Sequence, residues 1–136
     1  MSDYTILRAG DAPDFSGDDT PGAFLGYGRP LGSEQVAVNL RVLEPGQPNV
    51  PPGEEPSWGH GHRTIEEIYL VLEGELRVKL GEDVETLRQY DAVLIPPGTP
   101  RGARNEGESV VRLLMISRRV EDPGAESVPV EGFWPA

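Results

Sequence analysis

Two histidines are present in the chain, His60 and His62, and they stand two residues apart. In an extended segment residues two apart point to the same face. Two imidazoles then converge on one point. Glu67 follows at the start of an apolar stretch, and Gly59 and Gly61 flank and separate the histidines, leaving space around them. Two imidazoles and one carboxylate with open positions form the facial triad associated with non-haem Fe(II), and Zn, Mn, Ni and Cu accept the same ligands. A lone His-x-His in a Gly-rich loop is also what two solvated surface histidines look like. Cysteine is absent, which excludes a thiolate metal site, a disulfide framework and a cysteine nucleophile. Tyr69 lies two residues beyond Glu67 and should share its face. It reads as a core tyrosine with a satisfied hydroxyl, or as a hydrogen-bonding or acid–base group toward a ligand.

The elements that would hold these groups are short strands. Val36 to Leu43 alternates at period two. Ile65 to Leu72 is rich in β-branched and aromatic residues and ends at Glu73-Gly74, a tight-turn signal. Leu76, Val78 and Leu80 alternate with Arg77 and Lys79, and Val84 to Leu87 follows a Gly81-Glu82-Asp83 turn. Ala92 to Ile95 is stopped by Pro96-Pro97-Gly98, and Val110 to Ser117 gives one more strand. Strands spaced this evenly predict an all-β sandwich or barrel. With 136 residues the chain has room for one core. Residues 36–117 form the expected barrel. Residues 1–35, rich in Asp, Gly and Pro, read as an irregular segment packing on it. Residues 118–136 read as a polar, Pro-rich extension whose Phe133-Trp134 pair either frays or docks on the barrel or a partner subunit.

Two segments carry a family resemblance. Residues 59–74, GHGHRTIEEIYLVLEG, resemble the first cupin motif, in which His-x-His is followed by a Glu and then a Gly. The Glu-to-Gly spacing selects Glu67 over Glu66 as the ligand. Residues 90–105, YDAVLIPPGTPRGARN, resemble the second motif at every spacing. Pro96, Gly98 and Asn105 match, Tyr90 replaces the opening Gly, and Arg101 stands where the family has its third histidine. The resemblance implies a cupin jelly-roll barrel of two antiparallel sheets, a metal pocket and a homodimer.

Such cupins usually hold a divalent metal with three histidines and one glutamate. Arginine cannot coordinate, so His60, His62 and Glu67 are the expected ligands for Fe, Mn, Ni, Zn or Cu. Arg101 then points away from the metal, meets an anionic substrate with its planar fork, or pairs with Glu67 in a metal-free pocket. Two functions follow. One is a metal-dependent enzyme, a dioxygenase or isomerase in type, acting on a small organic acid or carbonyl compound with Arg101 and Tyr69 as its catalytic candidates. The other is a metal-free binding protein with an Arg101–Glu67 pair. The formal charge of −11 disfavours nucleic acid as a partner. No stretch has the apolar length of a membrane span, and residues 1–8 lack the apolar run of a signal peptide. The expectation is a cytoplasmic protein with a small-molecule ligand.

Overall fold

The structure, a computed structural model, describes residues 3–51 and 54–134. Pro52 and Gly53 of the Pro-rich loop, and two residues at each end of the chain, lie outside them. Among the described residues ten strands are seen: β1 (Ala23–Gly26), β2 (Val36–Leu43), β3 (Gly59–His62), β4 (Glu67–Glu73), β5 (Leu76–Leu80), β6 (Asp83–Leu87), β7 (Ala92–Ile95), β8 (Arg101–Arg104), β9 (Val111–Arg118) and β10 (Ser127–Val130). Single helical turns, α1 (Gly28–Leu31) and α2 (Pro123–Glu126), precede β2 and β10. The strands form two antiparallel five-stranded sheets, ordered β1-β2-β9-β4-β7 and β10-β3-β8-β5-β6. This is the all-β jelly roll expected from the two motifs.

The core lies between the sheets. Period-two alternation puts Leu43, Tyr69, Val71, Leu113 and Met115 of one sheet against Leu76, Val78 and Ala103 of the other, all buried. Turn chemistry sets the strand order. Gly74 has φ +82°, and a Cβ there would run into the Val110 carbonyl. At the Pro96–Thr99 turn the Thr99 amide donates to the Pro96 carbonyl, with Pro97 second and Gly98 (φ +84°) third. That is the residue pattern of a type II turn. Asn105 is wholly buried and closes the end of β8. Its amide donates to the Leu43 and Ser109 carbonyls, and its side-chain carbonyl accepts from the Gly107 amide.

Four strands escaped the sequence pattern, β1, β3, β8 and β10. β1 falls inside the stretch read as irregular, and β3 and β8 are only four residues long and contain glycine. Runs that short show no period. They are extended because they pair with β2, β8, β10 and β5. The C-terminal extension also joins the barrel, since β10 pairs with β3 from Ser127↔His62 to Val130↔Gly59.

Candidate metal centre and ligand cavity

His60 and His62 project from β3 into the space between the sheets. A Cβ at Gly59 would come within 2.6 Å of the Arg101 carbonyl, so glycine there lets β3 approach β8 closely. In the register His60 faces Arg101. The second motif's missing histidine position therefore lies beside the first histidine, on the same face. Glu67 enters from the opposite sheet, at the start of β4, opposite Ile95 and Ser117. The donor atoms of His60, His62 and Glu67 lie within 4.8 Å of one another. The imidazole rings are 5.1 Å apart at 89°.

The charge pattern is unusual for a metal pocket. Arg101 is 0% exposed, and its Nη1 donates to Glu67 Oε1 at 3.3 Å. His62 Nε2 lies 3.5 Å from the same oxygen. Arg101 Nε and Nη2 and His62 Nδ1 are buried without a partner. Burial, then the Arg101 charge, pushes the His60 pKa down to about 4, so the ring is neutral at pH 7 and its lone pair is available. Burial, then the Glu67 carboxylate, pushes the Tyr69 phenol well above its ordinary range, so it remains a donor.

The donor set fits a divalent transition metal. Ligand distances of about 2.0–2.2 Å place tetrahedral donors about 3.4 Å apart, close to the 3.5 Å between His62 and Glu67. Arg101 cannot ligate, so three side chains are on offer, with Arg101 hydrogen-bonded to one of them. The buried His62 Nδ1 lacks the carbonyl or carboxylate that usually braces a metal-bound imidazole.

These groups open on a cavity of about 450 Å³ whose lining includes His60, His62, Glu67 and Tyr69. Arg101 is not in that lining; it stands behind Glu67. Of the three orientations left open by the sequence, the one seen is the pair with Glu67. Tyr69 shares the pocket face, as expected from its spacing, and Glu66 is exposed.

Residues 48–117, half of the chain, match the sequence family described as Cupin domain. The chain belongs to the cupin-domain family. This cupin is 36% identical over 58 residues to the uncharacterized protein MJ1618 of Methanocaldococcus jannaschii. The match spans 43% of this chain and 46% of that protein, so the chain covers about half the length of this relative. Among solved structures the cupin is similar to the protein TT1209 from Thermus thermophilus, with a TM-score of 0.60, 30% identity and coverage of 76% of this chain and 90% of that one. It is also similar to a protein described as a sugar phosphate isomerase from a cupin superfamily, from Silicibacter pomeroyi. There the TM-score is 0.72, identity 18% and coverage 96% of both chains, a likeness that shows the fold alone.

Two residues of this cupin's cavity wall, Glu126 and Asn49, had no signal in the sequence. Glu126 of α2 lines the cavity and binds the loop between the ligand-bearing strands. It accepts from the Thr64 amide (2.6 Å), the Thr64 hydroxyl (2.9 Å) and the Ile65 amide (3.0 Å). Asn49, also in the cavity wall, accepts from Arg41 Nε at 3.1 Å, and Arg41 is itself buried under Phe24. Glu126 reaches the site by bonds to Thr64 and Ile65, and Asn49 by the bond of its backbone amide to the Ala103 carbonyl, contacts distant in sequence that no local motif records.

Proposed function

We propose that this cupin holds a divalent transition metal on His60, His62 and Glu67 and takes a small organic acid or carbonyl compound into its barrel cavity. The observation that carries this is the convergence of three donor atoms within 4.8 Å on the wall of a 450 Å³ cavity, a size typical of small-molecule sites. A bound metal would supply Lewis acidity and open positions for a ligand or dioxygen, the chemistry of oxygenase- or isomerase-type cupins. The chain's own groups have separate tasks. His60 stays neutral, Tyr69 keeps its phenol proton and hydrogen-bonds Glu67, and Arg101 orients Glu67 from behind while balancing its charge. The test is metal titration with elemental analysis on wild type, His60→Ala and Glu67→Ala. About one equivalent per chain in wild type, lost in both folded variants, supports the reading. No Fe, Mn, Ni, Cu or Zn after soaking overturns it.

The Arg101–Glu67 contact favours a second reading, a metal-free binding protein in which the arginine supplies the site's cation. It predicts no metal uptake and a cavity that still binds its ligand.

A homodimer belongs to the same reading. The face of the β1-β2-β9-β4-β7 sheet that points away from the core is apolar across its width. Ile68 faces Leu94 and Ile116, and Leu114 faces Leu70 and Leu40. Ile68 and Leu94 are exposed, Leu94 by 55%. A second copy laid on this face would bury that surface.

A further inference from the structure

Arg118-Arg119 is a basic pair in an acidic chain, and the metal site does not use it. Arg118, Arg119 and Arg29 all line the cavity. They meet at one end of the β2–β9 pair: Arg118 faces Val36, the Arg119 amide donates to the Gln35 carbonyl, and Arg29 lies in α1, which leads into β2. Among the described residues none of the three has a carboxylate within 4.0 Å. Their side-chain contacts are with neutral acceptors: Arg118 with the Thr64 hydroxyl and the Arg119 carbonyl, Arg119 with the Ser33 carbonyl. Each guanidinium has five N–H donors, so donors remain for a ligand.

The fixed charges can be counted. The cavity lining holds the carboxylates of Glu54, Glu67 and Glu126. Against them stand Arg29, Arg118 and Arg119, with Arg101 behind Glu67. The lining itself carries three cations and three anions, and Arg101 adds one cation behind Glu67, an excess of one positive charge on a molecule of formal charge −11. The lining also includes Phe15, Phe24, Val50, Ile65, Met115 and Pro129. The lining is mostly apolar, with Asn39, Asn49 and Ser117 among its few polar side chains, so a polyol body would lose more water contacts than it regains, whereas an apolar body would gain by burial.

We infer that the cavity ligand is a monocarboxylate with an apolar body, its carboxylate held by Arg118, Arg119 and Arg29. The inference rests on the reading of the cavity as the ligand site and is independent of the metal. Calorimetric titration of chelator-stripped protein with 3-phenylpropionate, its neutral amide and acetate tests it. The aryl carboxylate should bind at least about tenfold more tightly than the amide, by charge-assisted hydrogen bonds. It should also outbind acetate, which has no body to bury, and its advantage over the amide should shrink as salt rises. Arg118→Gln/Arg119→Gln should bring the affinities for acid and amide together, while Arg118→Lys/Arg119→Lys keeps part of the difference. Equal affinity for acid and amide, or binding of neither, overturns the inference. If the Gln variant fails to fold, the wild-type comparison and its salt dependence decide alone. Metal uptake is measured separately. Its absence with the carboxylate preference intact removes the metal and spares this inference. Metal uptake without that preference does the reverse.

Discussion

At the scale of single residues, Arg101 decides how the pocket behaves. It is a fixed cation, fully buried, 3.3 Å from a carboxylate that a metal would need. Arg101→Ala should destabilise the metal-stripped protein, because Glu67 is left unpaired. Breaking a deeply buried pair costs about 3–5 kcal/mol, and because Glu67 borders the cavity and its water a loss of about 1–3 kcal/mol is expected here. Added metal should recover that loss, since one cation replaces another. Arg101→His supplies a fourth ligand and removes the repelling charge together, so metal affinity should rise more than tenfold, about 1.4 kcal/mol. Thermal unfolding and metal titration on wild type and both variants check this. Identical affinity in all three would remove Arg101 from the metal's electrostatics. Tyr90 gives a simpler case. Its φ is +69°, in the left-handed region where the family motif has glycine, and its side chain is 72% exposed. The backbone carries the strain of a Cβ there while the ring gains little by burial. Tyr90→Gly should raise stability by about 0.5–1 kcal/mol, and an unchanged or lower melting temperature would count against that account.

At the scale of elements, the site depends on segments that carry none of its donors. The loop from Arg63 to Glu66 joins the histidine strand to the glutamate strand, and Glu126 holds it. Hydrogen bonds from the Thr64 amide, opposed by burial and reinforced by further Thr64 and Ile65 donors, keep the Glu126 pKa below the ordinary glutamate value of 4.5. A lowered folded pKa means that the stabilisation is complete above pH 4.5 and is lost as pH falls through the folded value. Wild type should therefore melt above Glu126→Ala at pH 5–7, with the gap narrowing below pH 4.5. A gap that stays constant into acid would mean that the carboxylate's charge is not what holds the loop. The tail acts on the other side of the same strands. Phe133 and Trp134 lie over Gly59 and Gly102, with Lys79 on the Phe133 ring and Arg104 on the Trp134 ring. Phe133→Ala should cost about 1–2 kcal/mol, a half-buried ring with one cation contact. Denaturant unfolding reads it.

At the scale of the whole molecule, charge and apolar surface oppose each other. A formal charge of −11 makes copies of the chain repel, while in the proposed dimer burial of the outer face around Ile68, Leu94 and Ile116 would draw them together. The dimer should tighten as salt rises, because screening weakens the repulsion and leaves apolar burial intact. Ile68→Lys/Leu94→Lys should give monomers with unchanged metal binding. Sedimentation at two salt concentrations measures both, and a monomer in wild type at high salt would refute this interface. Among the described residues no helix is long and apolar enough to cross a membrane.

Much of this was legible in the chain itself. Alternation, apolar runs and Gly/Pro turns gave β2, β5 and β7 with their bounds; in β5 the pattern is a direct image of burial, whereas in β2 the buried residues include Arg41 and in β7 only Ile95 is buried. The jelly roll was implied by the resemblance of residues 59–74 and 90–105 to the two cupin motifs, whose Gly74, Gly98 and Asn105 serve local backbone demands of turns and close approaches. Where Arg101 points was not legible. Its direction follows from pairing with His60 across β3 and β8, and its partner Glu67 arrives from the other sheet. Nor could the sequence show Glu126, Asn49 or the three cavity arginines as members of the site. They reach it through contacts between distant segments, and only the folded chain decides which distant side chains share a cavity.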